Sequence, residues 1–137
     1  KLFCIRYIDM IIGIGVDLVS IEKIAESVKS EAFRRKVFTP DEIKSCEEIA
    51  NAAEHYAGKF AAKEAFMKAI GKGIRQEVWF TQIEILNRES GAPYLQANGE
   101  AEKTLLMLGV KEMHISISHA EGMAVAMVVL SSNNQAL

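Results

Sequence analysis

Glu64 and Lys68 lie four residues apart in "GKFAAKEAFMKAIGKG", residues 58–73. On a helix they share one face. Read plainly, they form a surface ion pair worth roughly 0.3–0.5 kcal/mol. Glu64, however, sits between alanines and near Phe60, Phe66 and Met67, and a carboxylate half-buried there is costly without a cation to neutralise it. Asp17, in the apolar, glycine-punctuated "GIGVDL", is a second carboxylate, on a different element. Alone it reads as a turn aspartate bonding its own backbone. Together, Asp17 and Glu64 could hold Mg²⁺, which takes one or two protein carboxylates and fills its shell with substrate phosphates and water. "GKG" at 71–73 flanks Lys72 with Gly71 and Gly73, which lets backbone N–H groups approach an anion; a plain helix cap and turn explains it equally. His119 closes "HISISH", where strict alternation puts it on the face of Ile115 and Ile117. It is either a rim residue of the core or a phosphate contact past the strand end. No Ser-His-Asp order suggests a hydrolytic triad. Gly13 and Gly15 supply only two glycines of a dinucleotide fingerprint, with no βαβ unit following.

The elements that must position these groups can be read from periodicity and caps. "MIIGIGVDLVS" predicts a strand ending near Asp17, and Ser20 caps a helix over "IEKIAESVK" whose apolar stripe is Ile21, Ile24, Ala25 and Val28. "FTPDEIKSCEEIA" opens with Thr39 as cap, Pro40 at the first helical position and Glu42 completing a capping box. Asn51 and Glu54 repeat that pattern before a long helix over about 52–70, which Gly71 ends. Thereafter "VWFTQIEILN" predicts a strand, "RESGAP" a turn and "YLQA" the returning strand. "GEAEKTLLMLG" is a short helix, and "MHISISHAEGMAVAMVVL" is two strands about a Glu-Gly turn. The expected fold is α+β: a largely antiparallel sheet packed against a long helix and shorter helices, in a single domain. Residues 10–130 form that domain, with 1–9 expected as an N-terminal extension and 131–137 as a polar tail.

Composition narrows the function classes. Of 137 residues, half are hydrophobic and a quarter charged, an ordinary globular balance that carries one core-forming domain. A net charge of −2 gives no bulk attraction to nucleic acid or to a membrane surface, so neither is expected as a partner. Lys23, Lys29, Arg34, Arg35 and Lys36 nevertheless cluster around the first helix and its exit, a local surface suited to an acidic protein. Cys4 and Cys46 have no metal-type spacing and form no disulfide framework, which predicts a cytoplasmic, reducing compartment. No apolar run is long enough to span a bilayer.

Three motifs occur together and in order: "GIGVDLVSIEKI", "GKFAAKEAFMKAIGKGI" and "ISISHAEGMAVAMVVL", with "IEILNRESGAPYL" between the last two. Over about residues 10–130 this pattern resembles the holo-[acyl-carrier-protein] synthases, small 4′-phosphopantetheinyl transferases of fatty acid biosynthesis. The resemblance implies transfer of 4′-phosphopantetheine from coenzyme A to a serine of apo-acyl carrier protein, releasing adenosine 3′,5′-bisphosphate. It implies Mg²⁺ as cofactor and a homotrimer with a site at each subunit interface. It makes Asp17 and Glu64 metal ligands, and Lys68 the lysine beside the transferred phosphate. Coenzyme A would also meet His119, Lys59, Lys72 and Gly73, and Lys23 would dock the carrier protein. The family usually has arginine at the positions of Lys59 and Lys23; charge survives here but the bidentate fork does not. Glu64 and a metal-bound water are the candidate bases. Two rival readings remain open at this level: a Mg²⁺-dependent nucleotide phosphohydrolase, and a non-catalytic module that binds carrier protein through its basic helix.

Overall fold

The computed structural model describes residues 10–71 and 77–132. Strand β1 (Ile11–Ser20) leads through three short helices, α1 (Ile21–Ser27), α2 (Glu31–Val37) and α3 (Pro40–Glu47), into the long α4 (Ala52–Ile70). A 3-10 turn (Phe80–Gln82) opens the hairpin of β2 (Ile83–Asn87) and β3 (Pro93–Ala97). Helix α5 (Gly99–Leu108) then precedes the closing hairpin of β4 (Glu112–Ala120) and β5 (Met123–Ser131). All pairing is antiparallel, in a three-stranded sheet ordered β1-β5-β4 and a separate two-stranded β2-β3.

Local chemistry accounts for most of these boundaries. Ser20 Oγ accepts from Lys23 N at 3.2 Å and starts α1. Thr39 and Glu42 close the expected capping box on α3. Glu121 and Gly122 both take positive φ, 54° and 76°, the geometry of a two-residue hairpin turn whose twist matches its strands. Three expectations need correction. β1 does not stop near Asp17 but runs on to Ser20, so Asp17 lies inside the strand, paired with Ala126. Asn51 sits in the left-handed region (φ 59°) with no side-chain cap bond; its backbone oxygen, not its side chain, accepts from Glu54 N at 3.0 Å. "VWFTQ" is not strand, because extended pairing begins only at Ile83. The segment carrying Arg34, Arg35 and Lys36 is a helix of its own, α2, capped by Ser30.

Helix α4 is the axis of the fold. It is buried on almost its whole circumference, with Ala61, Ala62, Ala65 and Phe66 fully enclosed. Each large side chain so buried contributes about 1.5–3 kcal/mol. One side of α4 joins Val128, Leu130 and Ile85 in the main core; its first turns join Ile24, Phe38, Cys46 and Tyr56 in a second. The three-stranded sheet covers α4 with one face only. Its other face presents Ile14, Val16 and Leu18 from β1, each half or more exposed, beside Met127 of β5.

Candidate active site

Two ladders of charge run along α4, and the helical period separates them. Lys59 and Lys63 form the first, directed at α3 and β2. Lys59 Nζ donates to the Ile85 carbonyl at 2.7 Å. Lys63 Nζ donates to Glu42 Oε1 at 2.6 Å, to Val37 O at 2.7 Å and to Phe80 O at 3.1 Å. Lys63 and Glu42 are both wholly enclosed. Glu42 also accepts from Thr39 N (2.9 Å) and Ile85 N (2.7 Å). Strand β2 has a strand partner on one edge only, so Glu42 and Lys59 stand in for the missing strand at Ile85. Burial pushes the Lys63 ammonium below its ordinary range, while the Glu42 carboxylate pulls it back up. Of the lysines that the sequence offers as ligands for phosphate, Lys63 is thus committed to internal partners, while Lys59 gives one donor to Ile85 O and lines the cavity described below.

Glu64 and Lys68 form the second ladder, directed at β1. Glycine makes this contact possible. A Cβ on Gly15 would overlap the Ala65 carbonyl oxygen and lie 2.9 Å from Ala69 N; one on Gly13 would overlap the Ala69 carbonyl. β1 therefore lies directly on the backbone of α4. Asp17 is the next residue on the Gly15 face, and Glu64 immediately precedes the Ala65 carbonyl on which Gly15 rests. The Asp17 side chain is 16% exposed and meets Lys68 Nζ at 3.0 Å. Lys68 also donates to Val16 O at 3.0 Å. Glu64 is half-buried. Among the described residues no three His, Cys, Asp or Glu side chains gather as a metal cluster. Two carboxylates beside an ammonium still suit a cation that completes its shell from a phosphate-bearing substrate.

His119 lies elsewhere. It follows Ile115 and Ile117 on the inner face of β4 and meets the first turn of α4, with Nδ1 3.5 Å from Glu54 Oε2. Glu54, His55, Gly58, Lys59, Asn87 and His119 line a cavity of about 170 Å³ there. Glu64 is ten residues further along α4, about 15 Å at 1.5 Å per residue, so one chain does not bring the carboxylates and the His119 cavity into one site. A larger groove of about 580 Å³, between α2 and α3, is lined by Arg34 and Arg35 of the basic cluster but by none of the residues expected to hold metal or coenzyme A.

Lys23 is exposed on α1, which Ile24 anchors in the second core. The neighbouring cluster is partly neutralised within the chain: Arg35 pairs with Glu31 at 2.9 Å and Lys29 with Glu26 at 3.3 Å, while Arg34 also donates to Val28 O. Lys72 and Gly73 lie outside the described residues. Sequence reasoning missed Glu54 as a partner of His119, and missed the Lys63–Glu42 pair. The capping box around Glu42 was legible, but nothing local says that its carboxylate also receives a lysine from another helix.

Comparison with known proteins bears on the fold and the family. The family model described as the 4′-phosphopantetheinyl transferase superfamily matches residues 13–128. A holo-[acyl-carrier-protein] synthase from Halothermothrix orenii is 43% identical over 122 residues, 88% of this chain and 97% of that protein. The crystal structure of the Neisseria meningitidis holo-[acyl-carrier-protein] synthase superposes with a TM-score of 0.80 at 36% identity, covering 88% of this chain and 98% of that one. That of the Bacillus anthracis enzyme, in complex with CoA (3′,5′-ADP), superposes at 0.75 and 36% identity, covering 90% and 99%. On a family match over residues 13–128 and a relative 43% identical over 88% of this chain, the protein belongs to the holo-[acyl-carrier-protein] synthase family of 4′-phosphopantetheinyl transferases.

Proposed function

We propose that the chain transfers 4′-phosphopantetheine from coenzyme A to a serine of apo-acyl carrier protein, with Mg²⁺, in the service of fatty acid biosynthesis. The observation that carries the reading is the crossing of β1 and α4, where Asp17 meets Lys68, one helical turn from Glu64 on the same face of α4. The serine oxygen forms a bond to the phosphorus bearing pantetheine, the P–O bond to the nucleotide phosphate breaks, and adenosine 3′,5′-bisphosphate departs. Such a reaction asks chiefly for positioning and charge neutralisation. Lys68 supplies one fixed positive charge, and Asp17 and Glu64 would hold Mg²⁺. The bound metal would neutralise charge on the pyrophosphate. Glu64 and a metal-bound water are the candidates to take the serine proton. Lys72, Gly73, Lys59 and His119 are assigned to coenzyme A, and Lys23 to the carrier protein.

The separation of His119 from Glu64 on one chain supports a site completed between subunits. So does the apolar outer face of Ile14, Val16, Leu18 and Met127, since a sheet apolar on both faces needs cover on both. A homotrimer closed by rotation would supply it; a stable, active monomer in sedimentation would count against it. The function is tested by incubating apo-acyl carrier protein with the chain, coenzyme A and Mg²⁺, and weighing the products. Carrier heavier by one phosphopantetheine is the expected result, lost in Asp17→Asn and in Glu64→Gln with the fold intact. Split coenzyme A with unmodified carrier would mean a phosphohydrolase. Bound but unmodified carrier would mean a docking module.

A further inference from the structure

We propose that Glu54 is a positioning residue for coenzyme A: it holds the imidazole of His119 so that Nε2 is presented to the nucleotide end of the ligand. The proposal rests on the transfer reading above, and adds to it a residue outside the family's motifs as they stand in this sequence.

The geometry is specific to these two elements. His119 is the second-last residue of β4, past the point where Ile115 and Ile117 wedge the strand against the core. It is 42% exposed, and a ring so open turns freely about χ2 unless something holds it. Glu54 Oε2, 3.5 Å from Nδ1, is that constraint. It stands on the first turn of α4, whose left-handed entry at Asn51 leaves Glu54 N bonded to Asn51 O at 3.0 Å. A carboxylate facing Nδ1 favours a proton there, and an anionic group at Nε2 needs a proton on that nitrogen too, so between the two the ring serves as an imidazolium that donates from both nitrogens. Nε2 is then left for a group in the cavity.

The cavity's other polar groups fit an anion with a planar neighbour. His55 and Lys59 come from α4 and Asn87 from β2, and Asn87 Nδ2 is already spent on Gly91 O at 3.0 Å. Lys59 gives one donor to Ile85 O, which fixes its ammonium at the cavity wall. Glu54 is the one carboxylate among the lining residues. Facing a ligand phosphate directly it would repel it; facing His119 it orders a donor instead.

Calorimetry of coenzyme A binding to the whole protein tests this. Glu54→Ala should weaken coenzyme A about threefold to fivefold, the upper range for a half-exposed ion pair. Glu54→Gln keeps an acceptor for Nδ1 and should stay within about twofold of wild type. In kinetics the KM for coenzyme A should rise, with kcat and the KM for carrier protein steady. In a His119→Ala background, Glu54→Ala should change nothing further. A loss that persists in that background, or a Gln variant as poor as the Ala variant, overturns the proposal. So does a lowered melting temperature with coenzyme A binding unchanged. Should Glu54→Ala fail to fold, Glu54→Met, which keeps the length of the side chain without an acceptor, takes its place and should show the same loss. A wild type that binds coenzyme A in a Glu54-dependent way but modifies no carrier would sink the transfer reading and leave this one standing; normal transfer without Glu54 dependence does the reverse.

Discussion

Lys63 and Lys68 stand five residues apart on one helix, and their removal should produce opposite failures. Lys63→Met keeps the volume of the stem but deletes three hydrogen bonds, to Glu42, Val37 and Phe80. It leaves the Glu42 carboxylate wholly enclosed, still accepting from Thr39 N and Ile85 N but without a counter-charge. Breaking one side of such a pair costs about 3–5 kcal/mol. In a domain of this size that lowers the melting temperature by roughly 10–20 °C. Lys68→Met removes an ammonium that is 47% exposed from an aspartate that is 16% exposed. Solvent screens that pair, so about 0–1 kcal/mol of stability is at stake. Its loss falls on transfer, where removing a preorganised charge costs about 10²-fold or more in kcat/KM. Urea unfolding and carrier-protein modification, measured on both variants, separate the two roles. A cycle with Glu42→Gln adds a check: Lys63→Met should cost less there than in the wild-type background. A Lys63→Met protein as stable as wild type would refute the reasoning about the buried pair. A Lys68→Met protein destabilised by more than about 3 kcal/mol would refute the division between structural and reactive lysines.

Three further outcomes follow from particular contacts. Gly15→Ala inserts a methyl where β1 rests on the Ala65 carbonyl; overpacking of this kind costs about 1–3 kcal/mol, and because Asp17 shifts relative to Glu64, the Mg²⁺ concentration for half-maximal transfer should rise as well. An unchanged metal requirement would separate that crossing from the metal. Burial pushes the Cys46 thiol from 9.0 up to about 12, so it should resist thiol reagents at pH 8 until the protein unfolds. The unfolded chain ionises this thiol near pH 9 while the folded one holds its proton, so its stabilisation is complete below pH 9 and is lost towards pH 12, by up to about 1.4 kcal/mol per pH unit; urea midpoints across that range, compared with Cys46→Ala, read the slope, which should flatten in the variant. Lys23→Glu should raise the KM for carrier protein and spare that for coenzyme A, with added salt mimicking the substitution, because exposed charges act mainly on the association rate and are screened over about 8 Å. Wild-type carrier kinetics at low salt would move docking to the Arg34–Lys36 cluster.

What could be read from the sequence was whatever short-range chemistry decides. The capping box at Thr39, the stop at Gly71, the Glu-Gly turn and the alternation of "HISISH" each depend on neighbours in the chain, and each is found where expected. Asn51 shows the limit of that logic. Its pattern offers a capping box, but the chain must turn sharply between α3 and α4, and the left-handed conformation takes the residue's side chain out of capping range. α2 was legible in principle from Ser30 and Glu31, but its charge pattern draws the eye to docking before structure.

The lysines of α4 show the limit more sharply. Nothing within "GKFAAKEAFMKA" distinguishes a lysine that meets solvent from one that is enclosed, since the stem is apolar and the head charged in every case. The distinction comes from what lies across from each turn. Lys59 faces the open edge of β2, where an unpaired N–H and C=O must be satisfied in the interior; Glu42 arrives from α3 to complete the exchange, and Lys63 supplies its counter-charge. Glu64 and Lys68 face a strand held close by Gly13 and Gly15, whose missing side chains bring Asp17 to the helix. The first ladder needs lysines to close the fold and the second needs charge at a contact too tight to admit side chains. On the proposed reading, one short motif therefore serves structure on one face and reaction on the other. A substitution that keeps its charge pattern can still fail on either face, by leaving β2 unsealed or by lifting β1 from α4.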